Sequence, residues 1–124
     1  MGGTCSTVAV DWACNPSTLP DEVGNSLRVN KNAGTTEIVW SPAARATSSD
    51  VLRGLVSALA VGPGGGDEIC LDNIAGSLTT DGQDPLLGQG FWYLVRGDNL
   101  CGGGPYGSQV QNGVATARAS TTCP

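Results

Sequence analysis

Residues 91–97, Phe91-Trp92-Tyr93-Leu94-Val95-Arg96-Gly97, decide the fold class. Aromatic and β-branched side chains crowd this run, as a pleated, half-buried surface favours. Successive side chains of a strand leave on opposite faces, so Tyr93 and Val95 share one face and Trp92 takes the other. With Tyr93 and Val95 inward, Trp92 points outward. There it is covered by residues 56–61 or by the N-terminal segment, or it marks a contact surface.

The same period of two recurs in both directions from this run. Residues 36–40 (TEIVW) turn Ile38 and Trp40 one way, and Trp40 reads as core. Residues 49–55 read as a strand; a helix over residues 50–61 is opposed by Gly54, Gly62 and Pro63. Weaker strands are expected over residues 23–29, with Val23, Leu27 and Val29 on one parity, and over residues 68–71, which carry Cys70. Residues 30–35 read as a turn, and residues 72–90, rich in Asp, Gly, Thr and Pro, read mostly as loop. Asn112-Gly113 between Val110 and Val114 is a hairpin signal, with residues 114–120 as the last strand. At the start, residues 6–12 (STVAVDW) put Val8, Val10 and Trp12 on one face. The expectation is an all-β, antiparallel two-sheet β-sandwich of about seven strands plus an extra N-terminal strand. Residues 1–20 form that strand and a Pro-containing linker, and residues 21–124 form the sandwich.

Composition agrees. A chain of 124 residues holds one domain, and its 19 Gly and 7 Pro fit short strands joined by many turns. Net charge is −5 with a single lysine, Lys31, and no cluster of Lys or Arg, which argues against a nucleic-acid or anionic-membrane partner. No apolar run approaches the ~18 residues of a membrane helix. The start lacks the regions of a secretion signal, and Met1-Gly2-Gly3 reads as an added start or a processed end.

The five cysteines (Cys5, Cys14, Cys70, Cys101, Cys123) include no CxxC pair, and there is no histidine. A zinc site is therefore disfavoured, and an oxidising compartment with one or two disulfides is expected, with one cysteine left over. Five buried thiols in a reducing compartment is the competing reading. Without histidine, a Ser or Cys nucleophile lacks its usual base, and no pair of carboxylates is singled out, so no enzyme is expected. Residues 62–66 (GPGGG) lack the Gly-Lys-Ser/Thr of a phosphate loop, and no cofactor is expected. Asp81 and Asp84 are weak calcium candidates, better read as a solvated turn.

Beyond these local signals, residues 93–99 (YLVRGDN) resemble the sixth-strand signature of fibronectin type III domains, Tyr-x-Val-x-Ala-x-Asn, with Gly97 for Ala. Leu87 and Gly90 precede Tyr93 by six and three residues, as in that family's tyrosine-corner motif. Residues 38–42 (IVWSP) resemble the second-strand Leu-x-Trp-x-x-Pro pattern, and residues 46–54 (ATSSDVLRG) the third strand, with Ser49 where a tyrosine usually packs. The stretch from Val23 to the C-terminus is similar to fibronectin type III-like domains of large secreted bacterial proteins. The resemblance implies a non-catalytic extracellular spacer or adhesive module, and barely narrows its function. Its topology implies that Cys70, opening a fifth strand, lies beside Cys101, closing the sixth. Cys123 then ends the last strand at the other end, with Cys14, Cys5 or another chain as its partner.

The expected partner is protein: neighbouring domains, or the same chain in a filament or surface assembly. In the latter, the strand carrying Val8, Val10 and Trp12 either caps its own sheet edge or adds to a neighbour's. The alternative is a carbohydrate-binding accessory module using Trp92 and Tyr106.

Overall fold

The computed structural model describes residues 18–123. Cys5, Cys14 and the expected strand with Val8, Val10 and Trp12 lie outside them. The described chain is all-β. Its strands are β1 (Arg28–Asn32), β2 (Thr35–Val39), β3 (Ser48–Leu55), β4 (Ile69–Ile74), β5 (Leu78–Asp81), β6 (Phe91–Asn99), β7 (Gly102–Gly103), β8 (Ser108–Gln111) and β9 (Val114–Ala117). One antiparallel sheet has the order β1-β2-β5, the other β4-β3-β6-β7, and β8-β9 is a separate hairpin.

The two larger sheets face each other across Ile38, Trp40, Val51 and Val95, with Tyr93 packed against them. The parity expected for residues 36–40 and 91–97 is met. Ser49, at the place where the resembled family packs a tyrosine, is buried, and its hydroxyl accepts the Trp40 indole N–H at 3.1 Å. The small residue makes room for the indole and satisfies its one donor.

Three local expectations are corrected. The first strand is not residues 23–29: Gly24–Ser26 is a 3-10 turn and β1 starts at Arg28. The reason is the hairpin turn, where Ala33 and Gly34 both take positive φ (50° and 85°) and fix Asn32 opposite Thr35. Asn112-Gly113 makes the same kind of turn, as expected (φ 51° and 79°). Residues 72–90 are not mostly loop, because β5 lies there, paired with β2. The tyrosine corner is also absent: Leu87 is fully exposed, and the Tyr93 hydroxyl donates to the Asp81 carboxylate at 2.9 Å rather than to backbone.

The disulfide expectation is overturned as well. Cys70 bonds Cys123, with Cα atoms 5.0 Å apart. Leu52 pairs with Cys70 on one side and Leu94 on the other. Cys70 therefore sits level with Leu94, seven residues short of Cys101, about 23 Å along the sheet. A disulfide needs Cα atoms within about 7 Å. Cys123 does not end a sandwich strand at the far end. The chain after β9 instead crosses the outer face of the second sheet, where Cys123 and Tyr106 pack on Leu52, with Trp92 and Leu94 beside them. Cys101 is itself disulfide-bonded. Such bonds are compatible with an extracellular protein. Among the described residues, no helix is long and apolar enough to cross a membrane.

Candidate functional site

The interior charges are committed to the frame. Arg53 of β3 and Asp81 at the end of β5 form an ion pair between the sheets at 2.8 Å, with side chains 5% and 3% exposed. The remaining lone pairs of Asp81 accept from the Gln83 amide and the Tyr93 hydroxyl, and Gln83 takes the other Arg53 nitrogen. Burial alone would raise the Asp81 carboxyl. The hydrogen bonds from Arg53, Gln83 and Tyr93 outweigh it and hold the group below its usual value. Tyr93 is pushed up to about 12 by burial and by the Asp81 charge. Asp84 pairs with Lys31 instead. The two calcium candidates are thus each held by a cation, and no metal-binding cluster occurs among the described residues.

A second pair, Arg96 to Asp50 at 2.8 Å, sits across β6 and β3, and Arg96 also donates to the Cys123 carbonyl. Burial and the neighbouring Asp50 raise the Asp98 carboxyl above its normal value. These groups brace the strands and the C-terminal crossing.

The outer face of β6 is different. Trp92 lies over Gly54, where any side chain would collide: a Cβ there would stand 2.1 Å from an indole carbon. Its indole N–H donates to the Leu55 carbonyl at 3.1 Å. Of the covers expected for Trp92, the one built from residues 56–61 is partly realised. Leu59 and Val61 line the same groove as the ring, and Gln109 locks onto Val61 through both its backbone groups (3.0 and 2.9 Å). The cover is incomplete. Leu59, Val61, Trp92, Leu94, Gln109 and Val110 line an open groove of about 530 Å³ between β6 and β8. A second cavity of about 300 Å³ continues past Leu94 to Val95, Glu22 and Tyr106, and Arg118 borders both.

Tyr106 does not serve the carbohydrate reading, because it is 5% exposed and offers no ring face to solvent. Its hydroxyl is buried without a hydrogen-bond partner among the described residues, and burial pushes it up to about 12. An unpaired buried hydroxyl costs free energy that a phenyl ring does not. Tyr106→Phe is expected to raise stability by about 1 kcal/mol, read as a higher urea midpoint at unchanged slope.

The edge of β6 completes the site. β3 pairs with β6 along one side. On the other side, β7 pairs with Asp98 and Asn99, Glu22 bridges Arg96, and the Gly104 amide donates to the Gly97 carbonyl. Gly97 is required for that close approach, since a Cβ would meet Ala43, Ala46 and Pro20 within 3.0 Å. Residues 91–94 have no backbone partner on that side among the described residues. Among the described residues, a short unpaired stretch of the β6 edge therefore runs beside an apolar groove. Trp92 was legible as part of this surface. Leu94 could have been found from its parity with Trp92, and Val110 from its place next to the Asn-Gly turn. Leu59 and Arg118 carry no local signal. No family model, no curated protein and no solved structure matches this chain.

Proposed function

We propose that this chain is a non-catalytic, extracellular structural module that binds protein by strand addition, and that it joins copies of itself through its N-terminal strand. The reading keeps the fibronectin type III-like resemblance. β1, β2 and β5 in one sheet and β3, β6 and β7 in the other match the A-B-E and C-F-G division of immunoglobulin-like sandwiches.

The observation that carries the reading is that, among the described residues, the sheets end in strand edges without a partner. β1 and β5 flank one sheet, and β4 and the first half of β6 flank the other. Such edges are templates for another strand unless blocked. Residues 6–12, with alternating Val8, Val10 and Trp12, supply a strand to add. The most buried titratable groups, Asp50, Arg53 and Asp81, are tied into bracing ion pairs, which supports a scaffold over a catalyst. Disulfides support an oxidising, extracellular setting. Light scattering checks the proposal: the full chain is expected to associate as concentration rises, and Val8→Asp/Val10→Asp to remain monomeric. Equal particle mass for the two proteins at every concentration would end it.

A further inference from the structure

Independently of how copies join, we infer that the cavity of about 300 Å³ beside β6 binds a free α-amino acid with an aliphatic side chain, its carboxylate on Arg118 and its ammonium on Glu22. The cavity stands at the low end of the ~300–1,000 Å³ of small-molecule sites. Four polar side chains line it, Glu22, Asn25, Ser108 and Arg118, brought together from three separate segments of the chain. Val23 and Leu27, which pack against the core, and Leu94 and Val95 of β6 give it an apolar part.

The polar groups of this cavity are uncommitted. Among the described residues, Glu22 and Arg118 form no ion pair, with each other or with any other side chain. The Glu22 carboxylate, the Asn25 amide and the Ser108 hydroxyl make no hydrogen bond there either. Arg118 stands apart from the other cations. Lys31, Arg45, Arg53 and Arg96 each pair with a carboxylate, and Arg28 caps the Asn25 and Leu27 carbonyls at 2.6 and 2.9 Å. The half-buried Arg118 guanidinium has one bond among the described residues, a 3.4 Å contact to the Tyr106 carbonyl. Backbone holds both charges in place. The Arg118 amide donates to the Gly107 carbonyl at 2.9 Å. Gly107, at φ 93°, leaves free the space beside the guanidinium, which a Cβ would approach to 3.0 Å. The backbone of Glu22 is bridged to Arg96.

A small zwitterion answers this set of groups. A guanidinium presents paired N–H donors that match a carboxylate. An ammonium carries three donors, and the Glu22 carboxylate, the Asn25 side-chain carbonyl and the Ser108 hydroxyl are three acceptors. Val23, Leu27, Leu94 and Val95 receive an aliphatic side chain, which gains by leaving water. A ligand with one charge would desolvate either Glu22 or Arg118 without pairing it, which costs affinity. A sugar brings no charge for either group, and Tyr106, the one aromatic residue among the lining, is only 5% exposed.

The test is equilibrium dialysis of the full-length protein against radiolabelled L-leucine, a readout that association between copies does not disturb. Saturable uptake of one leucine per chain is expected, with a Kd on the order of 0.1–1 mM for so small a ligand. Leucinamide, which lacks the carboxylate, and N-acetylleucine, which lacks the ammonium, should each compete about tenfold or more weakly. Glycine, without a side chain, should do no better. Glu22→Gln alters an exposed side chain with no bond to the rest of the described protein. It should weaken leucine binding about tenfold and remove the preference for leucine over N-acetylleucine. Arg118→Gln should likewise remove the preference over leucinamide. If that variant does not fold, the leucinamide comparison on the unaltered protein decides the Arg118 contact alone. No saturable uptake up to about 10 mM leucine overturns the inference. Leucinamide or N-acetylleucine binding as tightly as leucine overturns it as well, because the ligand is then the terminus of a peptide. So does a Glu22→Gln protein with wild-type affinity. None of these results touches strand addition through residues 6–12, which particle mass tests separately.

Discussion

Removing the Cys70–Cys123 disulfide by a double alanine substitution is expected to cost about 4 kcal/mol. The bond closes a loop with a sequence separation of 53 residues, and cross-linking a loop of that size removes about 4 kcal/mol of chain entropy from the unfolded state. The location adds to the effect. Cys123 is buried, its sulfur contacts the Val51 carbonyl, and it anchors the C-terminal crossing over Leu52. Without it, Tyr106 and the β8–β9 hairpin lose their tether to β4. The melting temperature should fall by roughly 15 °C for a domain of this size. Substituting both cysteines avoids leaving a new thiol to exchange with Cys101. Urea unfolding followed by circular dichroism measures the loss, and a difference below about 1 kcal/mol would show that the crossing holds without the bond.

Arg53→Met is the second large effect, expected at about 3–5 kcal/mol near neutral pH. It leaves the Asp81 carboxylate in a desolvated site without its cation, and it removes the guanidinium seated 4.2 Å over the Phe91 ring. The pH dependence follows from the direction of the Asp81 shift. In the wild type its carboxyl is lowered in the folded state. The stability this supplies is present above the unfolded value of about 3.9 and is lost as pH falls through the folded value. In the variant, burial without the cation raises the same carboxyl, so the penalty is present above that raised value and fades once the group is protonated. The gap between wild type and variant should therefore be widest near pH 7 and shrink below about pH 4. Arg53→Met/Asp81→Leu should recover at least half of the loss, because removing both charges is far less costly than orphaning one. Urea midpoints at pH 7 and pH 3.5 measure both expectations. A gap that is the same at both values would mean that Asp81 is not the orphan.

Local chemistry determined the strands around Trp40, Val51, Tyr93 and Val95. Period-two alternation depends only on the pleat of one strand, and these segments carry it unmixed. The Asn112-Gly113 hairpin was legible for the same reason, since positive φ is a property of the turn residues themselves. The all-β class and two facing antiparallel sheets followed from those signals. β5 was not legible. Leu78–Asp81 reads as polar loop until β2 supplies its hydrogen bonds and Arg53, from the opposite sheet, neutralises Asp81. Cys70 was mispaired because its partner depends on where the chain goes after β9, across the outer face of the second sheet, and no residue from 118 to 123 signals that path. Trp92 was visible as an outward aromatic, but the groove beside it exists only because β8, residues 59–61 and the half-paired edge of β6 meet in space. Alternation along a strand is written in neighbours two residues apart. Disulfide partners, ion pairs between sheets and open edges join residues tens of positions apart, and tertiary packing decides them.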